Sequence, residues 1–359
     1  MLKRAALLLA CASLALWIGC STTTNIFVYA AIPGSSQIFA FREDPNSGFL
    51  SPVEGGPFVA GSAVQSLAIH SSKKFLYAAN AGSSDISEFA ISGGGILTEV
   101  TPRQPAGTVP ILLAIDPAGA FLYVANAGSN NISSFSIDPS TGKLSQVPGS
   151  PFSVGLSPLN MKLAPSGNVL YVTGSSGAGL PGYVQAFTLN AGVVSNVPVP
   201  GSPYQVGMIP QGLAINPAGT FLYVGNAAPD NSISIFAINS DGSLAEVSGS
   251  PIGESYAGPI ALLVDNSGKY LYVANVGSNL LAGFSIGADG GLSLLSSSPF
   301  ATSAQPSFIA SDPAGHYLFV GNQSGTKVQS FGLDTGSGTL TSIASYSVPG
   351  TASSIAVTP

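Results

Sequence analysis

The sequence predicts an all-β fold, a seven-bladed β-propeller in which four-stranded antiparallel blades form a closed ring. A hexad recurs along the chain, and its clearest copies are Phe121–Asn126 (Phe-Leu-Tyr-Val-Ala-Asn) and Phe221–Asn226 (Phe-Leu-Tyr-Val-Gly-Asn). The aromatic residue at its third position returns every 46 to 52 residues. A period of this length, with strand-like content in every copy, is typical of propellers and similar arrays. The seven aromatic positions are Phe27, Tyr77, Tyr123, Tyr171, Tyr223, Tyr272 and Phe319.

The copy that begins at Pro110 shows why each repeat predicts one antiparallel sheet. Two apolar runs, Leu112–Ile115 and Phe121–Ala125, are separated by an Asp-Pro-Ala-Gly turn. Ile132–Ile137 and Leu144–Val147 follow, with Asp-Pro-Ser-Thr-Gly between them, so the copy predicts four short strands. The abundant Pro, Gly and Ser would also suit a disordered chain. Disorder is disfavoured because 45% of the residues are hydrophobic and they fall in phase with the repeat.

The last strand of the chain predicts how the ring closes. The strand type that precedes each hexad is absent before the first one, and one copy, Ser354–Thr358, stands alone at the C-terminus. We expect this strand to pair with the N-terminal strands and complete the first blade, which removes two sheet edges. The alternative is an open solenoid of about six and a half repeats.

The N-terminal segment predicts export. Lys3 and Arg4 precede an apolar stretch from Ala5 to Ile18, which is typical of a secretory signal. Gly19-Cys20 then resembles a bacterial lipoprotein signal, with Cys20 as the lipid attachment site. An ordinary signal cleaved nearby is the alternative, and a retained anchor is disfavoured because spanning a membrane takes roughly 20 apolar residues.

The domain organisation follows from these two patterns. Residues 1–19 are the predicted signal peptide, 20–26 a short tether, and 27–359 a single propeller. The expected location is the periplasm or the cell surface, on the outer membrane if the cell has one. The membrane is then a partner through the lipid at Cys20.

Composition limits the chemistry. Charged residues are 7% of the chain, and removing Lys3 and Arg4 from ten basic residues leaves eight against sixteen acidic ones, a net charge of about −8. Nucleic-acid binding is disfavoured because no basic patch would neutralise phosphates. The two histidines, His70 and His316, occupy turn positions and are interpreted as structural. No Cys/His zinc pattern occurs, so no metal and no cofactor are predicted.

A family resemblance rests on the hexads and on the turns before them. Leu76–Asn80, Leu122–Asn126 and Leu271–Asn275 resemble the Tyr-Val-Thr-Asn repeat. Together with the Asp-Pro-x-Gly turns, they resemble the seven-bladed propeller lactonase family, which includes 6-phosphogluconolactonase-like proteins and a fungal muconate cycloisomerase. The resemblance covers nearly all of residues 27–359. It implies the propeller fold and, as one functional alternative, a hydrolase or isomerase that acts on a sugar lactone in the central funnel.

The same resemblance exposes a difference. Family members often carry Pro-Arg-His at the start of a blade's first strand, where Arg would hold an anionic group and His would move protons. The equivalent triplets in this chain contain neither residue, and five of them begin at Pro110, Pro158, Pro210, Pro259 and Pro306. We therefore expect no appreciable 6-phosphogluconolactonase activity from these residues, and whether the protein is an enzyme stays open.

Candidate binding residues are those that break the repeat. Lys162 stands where the other copies have Ala or Leu, and one interpretation is that its amine binds an anionic group in the channel, with Asn160 beside it. The alternative is a lysine that only extends to water at the rim. No catalytic residue is assigned. The candidates at the channel mouth are Lys162, Asn160, Arg103, Glu254, Tyr256, Gln65 and Gln211.

Two functional hypotheses follow. The favoured one is a lipid-anchored binding or scaffold module of the cell envelope, whose partner is an unidentified small molecule or envelope protein. The other is the lactonase-type enzyme, which would need a new set of residues. Convergence of Lys162, Glu254 and Arg103 at one mouth would favour the enzyme, and their scattering would favour the module.

Overall fold

A computed structural model describes residues 25–175, 177 and 179–359 as seven antiparallel sheets around a common axis. The predicted signal peptide and Cys20 lie outside the described residues. We number the sheets as blades 1 to 7 in chain order. The predicted seven-bladed propeller is confirmed. In the described part of the chain, helical structure is confined to a single turn at Pro33–Ser35, and no helix is long and apolar enough to cross a membrane.

Each blade has an inner, a second, a third and an outer strand, counted from the axis. The inner strands border the axis because each contacts the inner strands of both neighbouring blades. In blades 1 to 7 the inner strands are Ser354–Val357, Val64–Ile69, Pro110–Ile115, Ser157–Leu163, Pro210–Ile215, Pro259–Val264 and Pro306–Ser311. The second strands are Ile26–Ile32, Phe75–Asn80, Phe121–Asn126, Val169–Ser175, Phe221–Asn226, Tyr270–Asn275 and Tyr317–Asn322.

The outer half of each blade is more irregular. The third strands are Gln37–Glu43, Asp85–Ile91, Asn131–Ile137, Gly182–Asn190, Ser232–Ile238, Leu280–Ile286 and Lys327–Leu333. The outer strands are Leu50–Pro52, Leu97–Pro105, Leu144–Gln146, Val193–Pro198, Leu244–Glu246, Leu292–Leu294 and Leu340–Ser347. In five blades a short strand also pairs with the third strand: Phe58–Val59, Phe152–Ser153, Tyr204–Val206, Ile252–Gly253 and Phe300–Ala301.

The C-terminal strand closes the ring as predicted. It runs antiparallel to Ile26–Ile32, with Val357 opposite Val28 and Ser354 opposite Ala31. The backbone amide of Phe27 also donates to Thr358 Oγ1 at 2.9 Å. Blade 1 therefore takes its inner strand from one end of the chain and its other strands from the opposite end, which excludes the open solenoid.

The first aromatic position needs a correction. Tyr29 pairs with Ala356 in blade 1, just as Tyr77 pairs with Ala68 in blade 2. The third hexad residue of blade 1 is therefore Tyr29, and Phe27 belongs to the first hexad position. Residues two apart in a strand point to the same face, so the two aromatics were interchangeable until the partner strand set the register.

The tyrosine column holds neighbouring blades together. The side chains of the six tyrosines at this position, with Phe319 in blade 7, are buried, so the column is part of the core. The Tyr77 hydroxyl donates to the carbonyl of Gly142 in the next blade at 2.6 Å, and the corresponding Tyr29–Gly95 bond is 2.9 Å. Gly142 has φ +74°, and an added Cβ would lie 2.4 Å from the Phe75 ring, so the turn requires glycine.

The turn acids and His70 have structural roles, as interpreted from the sequence. Asp116 Oδ1 accepts from the backbone amide of Phe121 at 2.6 Å, and Asp312 and Asp265 make the same bond in their own turns. The buried His70 ring lies 2.9 Å from the carbonyl of Gly119 in the next blade and 2.8 Å from Ser72 Oγ. These side chains satisfy backbone groups within turns and between blades.

Candidate functional site

The wall of the central channel is built from the seven inner strands. In six of them the ladder to the second strand shifts by one residue at the second position of the opening triplet. Such a bulge turns the extra side chain out of the regular ladder, and all six side chains are partly exposed. These positions carry Gln65, Ile111, Leu159, Gln211, Ile260 and Ser307.

The bulge positions supply little polar chemistry. The Ser307 hydroxyl bonds to the backbone carbonyl of Ala352 at 2.8 Å. The carbonyls of Gln65 and Gln211 accept from Ser353 Oγ and Asn160 Nδ2, so their backbones link adjacent blades. Their side-chain amides make no hydrogen bond to the described residues and remain available at the mouth. At the bulge positions, therefore, the polar side chains that remain free to contact a ligand are neutral amides rather than Arg or His.

Lys162 is the one charged side chain on the seven described inner strands. It is also the one exposed residue on those strands, every other being buried or half-buried. Because the inner strands border the axis, the exposed lysine opens onto the central channel. Its counterparts in the other blades are small or apolar, as the register of Ala68 and Ala114 shows. The sequence marks Lys162 as the one lysine among small or apolar residues at this position, and the structure places that position on the wall of the channel.

The surroundings of Lys162 favour a ligand. The protein around the channel desolvates the amine, and this desolvation lowers the pKa of the ammonium below its ordinary value. In the described part of the chain the ion pair present is Arg103–Glu99, so no carboxylate neutralises Lys162. An unpaired cation in a confined space attracts an anion more strongly than the same cation at an open surface.

Asn160 is tied into the wall near Lys162. Its Nδ2 donates to the backbone carbonyl of Gln211 at 2.5 Å, and its Oδ1 accepts from the amide of Met161 at 2.7 Å. The side chain thereby links the inner strands of blades 4 and 5. Asn160 therefore positions the strand that carries Lys162, and its amide is already in use.

Glu254 lies in the connection before blade 6 and completes a polar contact there. In blades 2 and 3 the buried Asn at the end of the hexad donates to residues five and seven positions later, as Asn80 does to Asp85 and Ser87. Blade 6 has Leu280 and Ala282 at those positions. Asn275 instead donates to Glu254 Oε1 at 3.0 Å.

The second oxygen of Glu254 is unusual. Oε2 is buried and has no hydrogen-bond partner among the described residues. Burial raises the pKa of this carboxyl to about 7, partly offset by the bond from Asn275. A carboxyl with this pKa can exchange a proton near neutral pH, but a substrate reaches it only if the connection moves.

The remaining candidates do not meet at the channel. The structure places Arg103 on the outer strand of blade 2, where Nε bonds Glu99 Oε1 at 2.6 Å. The pattern break at Arg103 comes from a continuous outer strand rather than from a loop at the mouth. Tyr256 is half-buried against the core between blades 5 and 6. Lys162, Glu254 and Arg103 thus lie on an inner strand, a connection and an outer strand respectively.

The sequence reasoning missed Glu43 and Val169. Each interrupts a position that is uniform in the other blades. Glu43 replaces Ile or Leu at the end of the third strand, and Val169 replaces Phe or Tyr at the first hexad position. The signal for Val169 was already present in the hexads, whereas the signal for Glu43 emerges only when the register of blade 1 is correct. Within the described residues, no group of three or more His, Cys, Asp or Glu side chains is arranged to hold a metal ion.

The fold and the channel define a seven-bladed propeller with one cation in its central wall. The sequence profile described as "Lactonase, 7-bladed beta-propeller" matches residues 35–156 and 251–357. The chain therefore belongs to the seven-bladed β-propeller lactonase family. The stretch between the two matched segments, 157–250, contains Lys162 and Val169.

Solved structures agree on the fold. A protein from Lactobacillus plantarum is 21% identical with a TM-score of 0.77, covering 93% of this chain and 99% of its own. A 6-phosphogluconolactonase candidate from Bacteroides fragilis is 20% identical with a TM-score of 0.76, covering 94% and 99%. The periplasmic gluconolactonase PpgL of Pseudomonas aeruginosa is 20% identical with a TM-score of 0.70, covering 93% and 98%. No curated protein sequence matches the chain significantly.

Proposed function

We propose that the protein is an exported, lipid-anchored binding module of the cell envelope whose central channel takes a small anionic ligand at Lys162. The observation that carries the proposal is that Lys162 is the one charged and the one exposed side chain on the described inner strands. The scattering of Lys162, Glu254 and Arg103 over different elements supports binding over catalysis. The lipid at Cys20 is supported by the sequence pattern Gly19-Cys20.

The charge of the site indicates the ligand class. One ammonium matches one carboxylate, whereas a dianionic phosphate needs more positive charge than one lysine supplies. The partly exposed amides of Gln65 and Gln211 at the bulges suit hydroxyl groups. A small hydroxylated monocarboxylate fits both features.

Binding of gluconate tests this ligand class, with glucose as the uncharged comparison. By isothermal titration calorimetry we expect gluconate to bind and glucose not to. Lys162→Ala should weaken binding by about tenfold or more, because the charge pair with the ligand is lost, while Lys162→Arg should retain most of it. Lys143→Ala, which removes an exposed lysine from a blade turn, is the matched control. Equal affinity of wild type and Lys162→Ala would refute the proposed role of Lys162.

The lipid anchor has its own test. Five residues, 21–25, separate Cys20 from the first strand, so the propeller would stay within roughly 20 Å of the bilayer. Mass spectrometry of the N-terminus of the exported protein should find a lipidated Cys20. An unmodified terminus, or one that begins elsewhere, would remove the anchor but leave the channel proposal intact.

A lactonase-type hydrolase is the second candidate, and the partner-free oxygen of Glu254 favours it. A carboxyl whose pKa is raised to about 7 suits a general base that activates water for lactone opening. Family membership and the PpgL likeness support the same reaction class. Turnover of 6-phosphogluconolactone and of neutral gluconolactone should be measured against the spontaneous rates. Turnover that Glu254→Gln abolishes would establish the enzyme, and rates equal to the spontaneous ones would reject it.

A further inference from the structure

Blade 4 lacks a ring that every other blade has. The first residue of the hexad is aromatic in the six other copies and packs against the turn of the following blade. In blade 4 this residue is Val169. The aromatic residues in blades 1, 2, 3, 5, 6 and 7 are Phe27, Phe75, Phe121, Phe221, Tyr270 and Tyr317.

The site that the ring normally fills is otherwise unchanged. At the interface of blades 3 and 4, an added Cβ on Gly192 would lie 2.4 Å from the Phe121 ring. Gly242 is the equivalent glycine of blade 5, with φ +84°, and its nearest neighbour is a Val169 methyl group. The Tyr171 hydroxyl donates to the Gly242 carbonyl at 2.9 Å, as the equivalent tyrosine does at four other interfaces. The turn thus keeps the shape that accepts an aromatic ring, although none is supplied.

A cavity of about 310 Å³ lies at this interface. Its apolar lining includes Val169, Ala164, Ala218 and Ile238, and its polar lining includes Asn168 and Ser240. No charged residue lines it. The cavity opens on the side of the propeller where the inner strands end, at the turn that follows the inner strand of blade 4, and Lys162 does not line it.

We propose that this cavity binds a small uncharged aromatic molecule with a hydroxyl group, whose ring takes the place that phenylalanine occupies between the other blades. The apolar lining with the preserved glycine turn provides a slot for a flat ring, as apolar cavities do for benzene-sized molecules. The absence of charged lining residues disfavours ions, which would lose hydration without a partner.

The polar lining accounts for the hydroxyl. The Ser166 hydroxyl donates to Asn168 Oδ1, while Asn168 Nδ2 and the Ser240 hydroxyl form no hydrogen bond with described residues. The Asn168 amide, which can donate, and the Ser240 hydroxyl, which can donate and accept, therefore border the apolar slot. A phenol-like ligand would bury its ring and keep its hydroxyl bonded at the rim.

The test uses phenol as the probe, with cyclohexanol and glucose as comparisons. We expect saturable binding of phenol by ligand-observed and amide NMR, with a Kd on the order of 1 mM for so small a molecule. The shifted amides should be those of Gly242, Ala218 and their neighbours. Val169→Phe should fill the slot, abolish phenol binding and raise the unfolding midpoint by about 1–4 °C. Val197→Phe makes the same change at a site that is 73% exposed and should alter neither property.

The outcomes separate the alternatives. Unsaturable binding, shifts confined to other blades, or unchanged affinity in Val169→Phe would each overturn the proposal. Tighter binding of glucose or cyclohexanol than of phenol would overturn the aromatic class. If Val169→Phe does not fold, the map of amide shifts in the wild-type protein decides alone. These measurements do not involve gluconate or Lys162, so their outcome tests the phenol proposal without testing the proposed function.

Discussion

Replacing Glu43 with leucine should make the stability of the propeller far less sensitive to a rise in pH from 5 to 8. Glu43 ends the third strand of blade 1 and is 2% exposed, and neither carboxyl oxygen has a hydrogen-bond partner among the described residues. The equivalent positions in the other blades are Ile91, Ile137, Leu189, Ile238, Ile286 and Leu333. A carboxyl group thus occupies a position that is apolar in six blades, at the junction where the ring closes.

The size of the effect follows from proton linkage. Burial, with smaller contributions from the Asp312 and Asp44 carboxylates, raises the pKa of Glu43 from 4.5 to about 8. The folded protein therefore holds this proton more tightly than the unfolded chain, and stability falls as pH rises from 4.5 to 8. The slope is about 1.4 kcal/mol per pH unit, so the loss between pH 5 and pH 8 is about 3–4 kcal/mol.

The groups that face Glu43 do not relieve this penalty. Asp312 and Tyr317 come from blade 7, and Asp44 follows Glu43 in the turn after the strand. The neighbouring cation, Arg42, is exposed and lies over the Phe27 ring at 5.8 Å. Ionisation would thus place one more negative charge in an acidic, buried junction.

Urea unfolding at pH 5 and pH 8 measures the effect. The gain in unfolding free energy from Glu43→Leu should be larger at pH 8 than at pH 5 by about 3–4 kcal/mol. Glu54→Leu, which removes an exposed glutamate from the same blade, should show no such difference. If wild type and Glu43→Leu change in parallel between the two pH values, Glu43 is not held protonated and the reasoning fails.

Three further predictions concern the ring and the contacts between blades. Deleting residues 352–359 removes the inner strand of blade 1 and should lower the calorimetric midpoint by about 10 °C or more; an unchanged midpoint would contradict closure. Tyr77→Phe should cost about 1 kcal/mol in urea unfolding through its lost bond to a glycine carbonyl. Tyr123→Phe is the control, since its hydroxyl donates to no described residue, and equal costs would argue against the bond. Glu254→Ala should cost about 1–3 kcal/mol by leaving Asn275 Nδ2 without its carboxylate, whereas Glu254→Gln, which keeps an acceptor oxygen, should cost less.

Much of the fold was accessible from local patterns. The apolar runs around Leu112 and Phe121 and the Asp-Pro-Ala-Gly turn between them predict strands and turns, because turn chemistry and alternation act over a few residues. The unpaired strand at Ser354 predicted the ring closure, since a sheet edge is costly to leave open.

The site was less accessible because it depends on contacts between repeats. Lys162 was visible as a break in its column, and the structure shows that its strand borders the channel. Arg103 broke the pattern equally clearly, but it lies on an outer strand and pairs with Glu99. A break in a repeat marks a difference between blades, and only the position of its strand shows whether that difference faces the channel.

The sequence by itself determined the number of blades, the strands within each and the residues that interrupt the repeat, because these depend on spacing, turn residues and hydrophobic phase along the chain. The tertiary structure alone decided that Tyr29 rather than Phe27 belongs to the tyrosine column, since the register of blade 1 is set by pairing with Ser354–Val357 from the other end of the chain. It likewise decided that Glu43 meets Asp312 and that Val169 leaves a cavity beside Gly242. These contacts join residues of different blades, and their energies arise only when the closed ring brings those blades together.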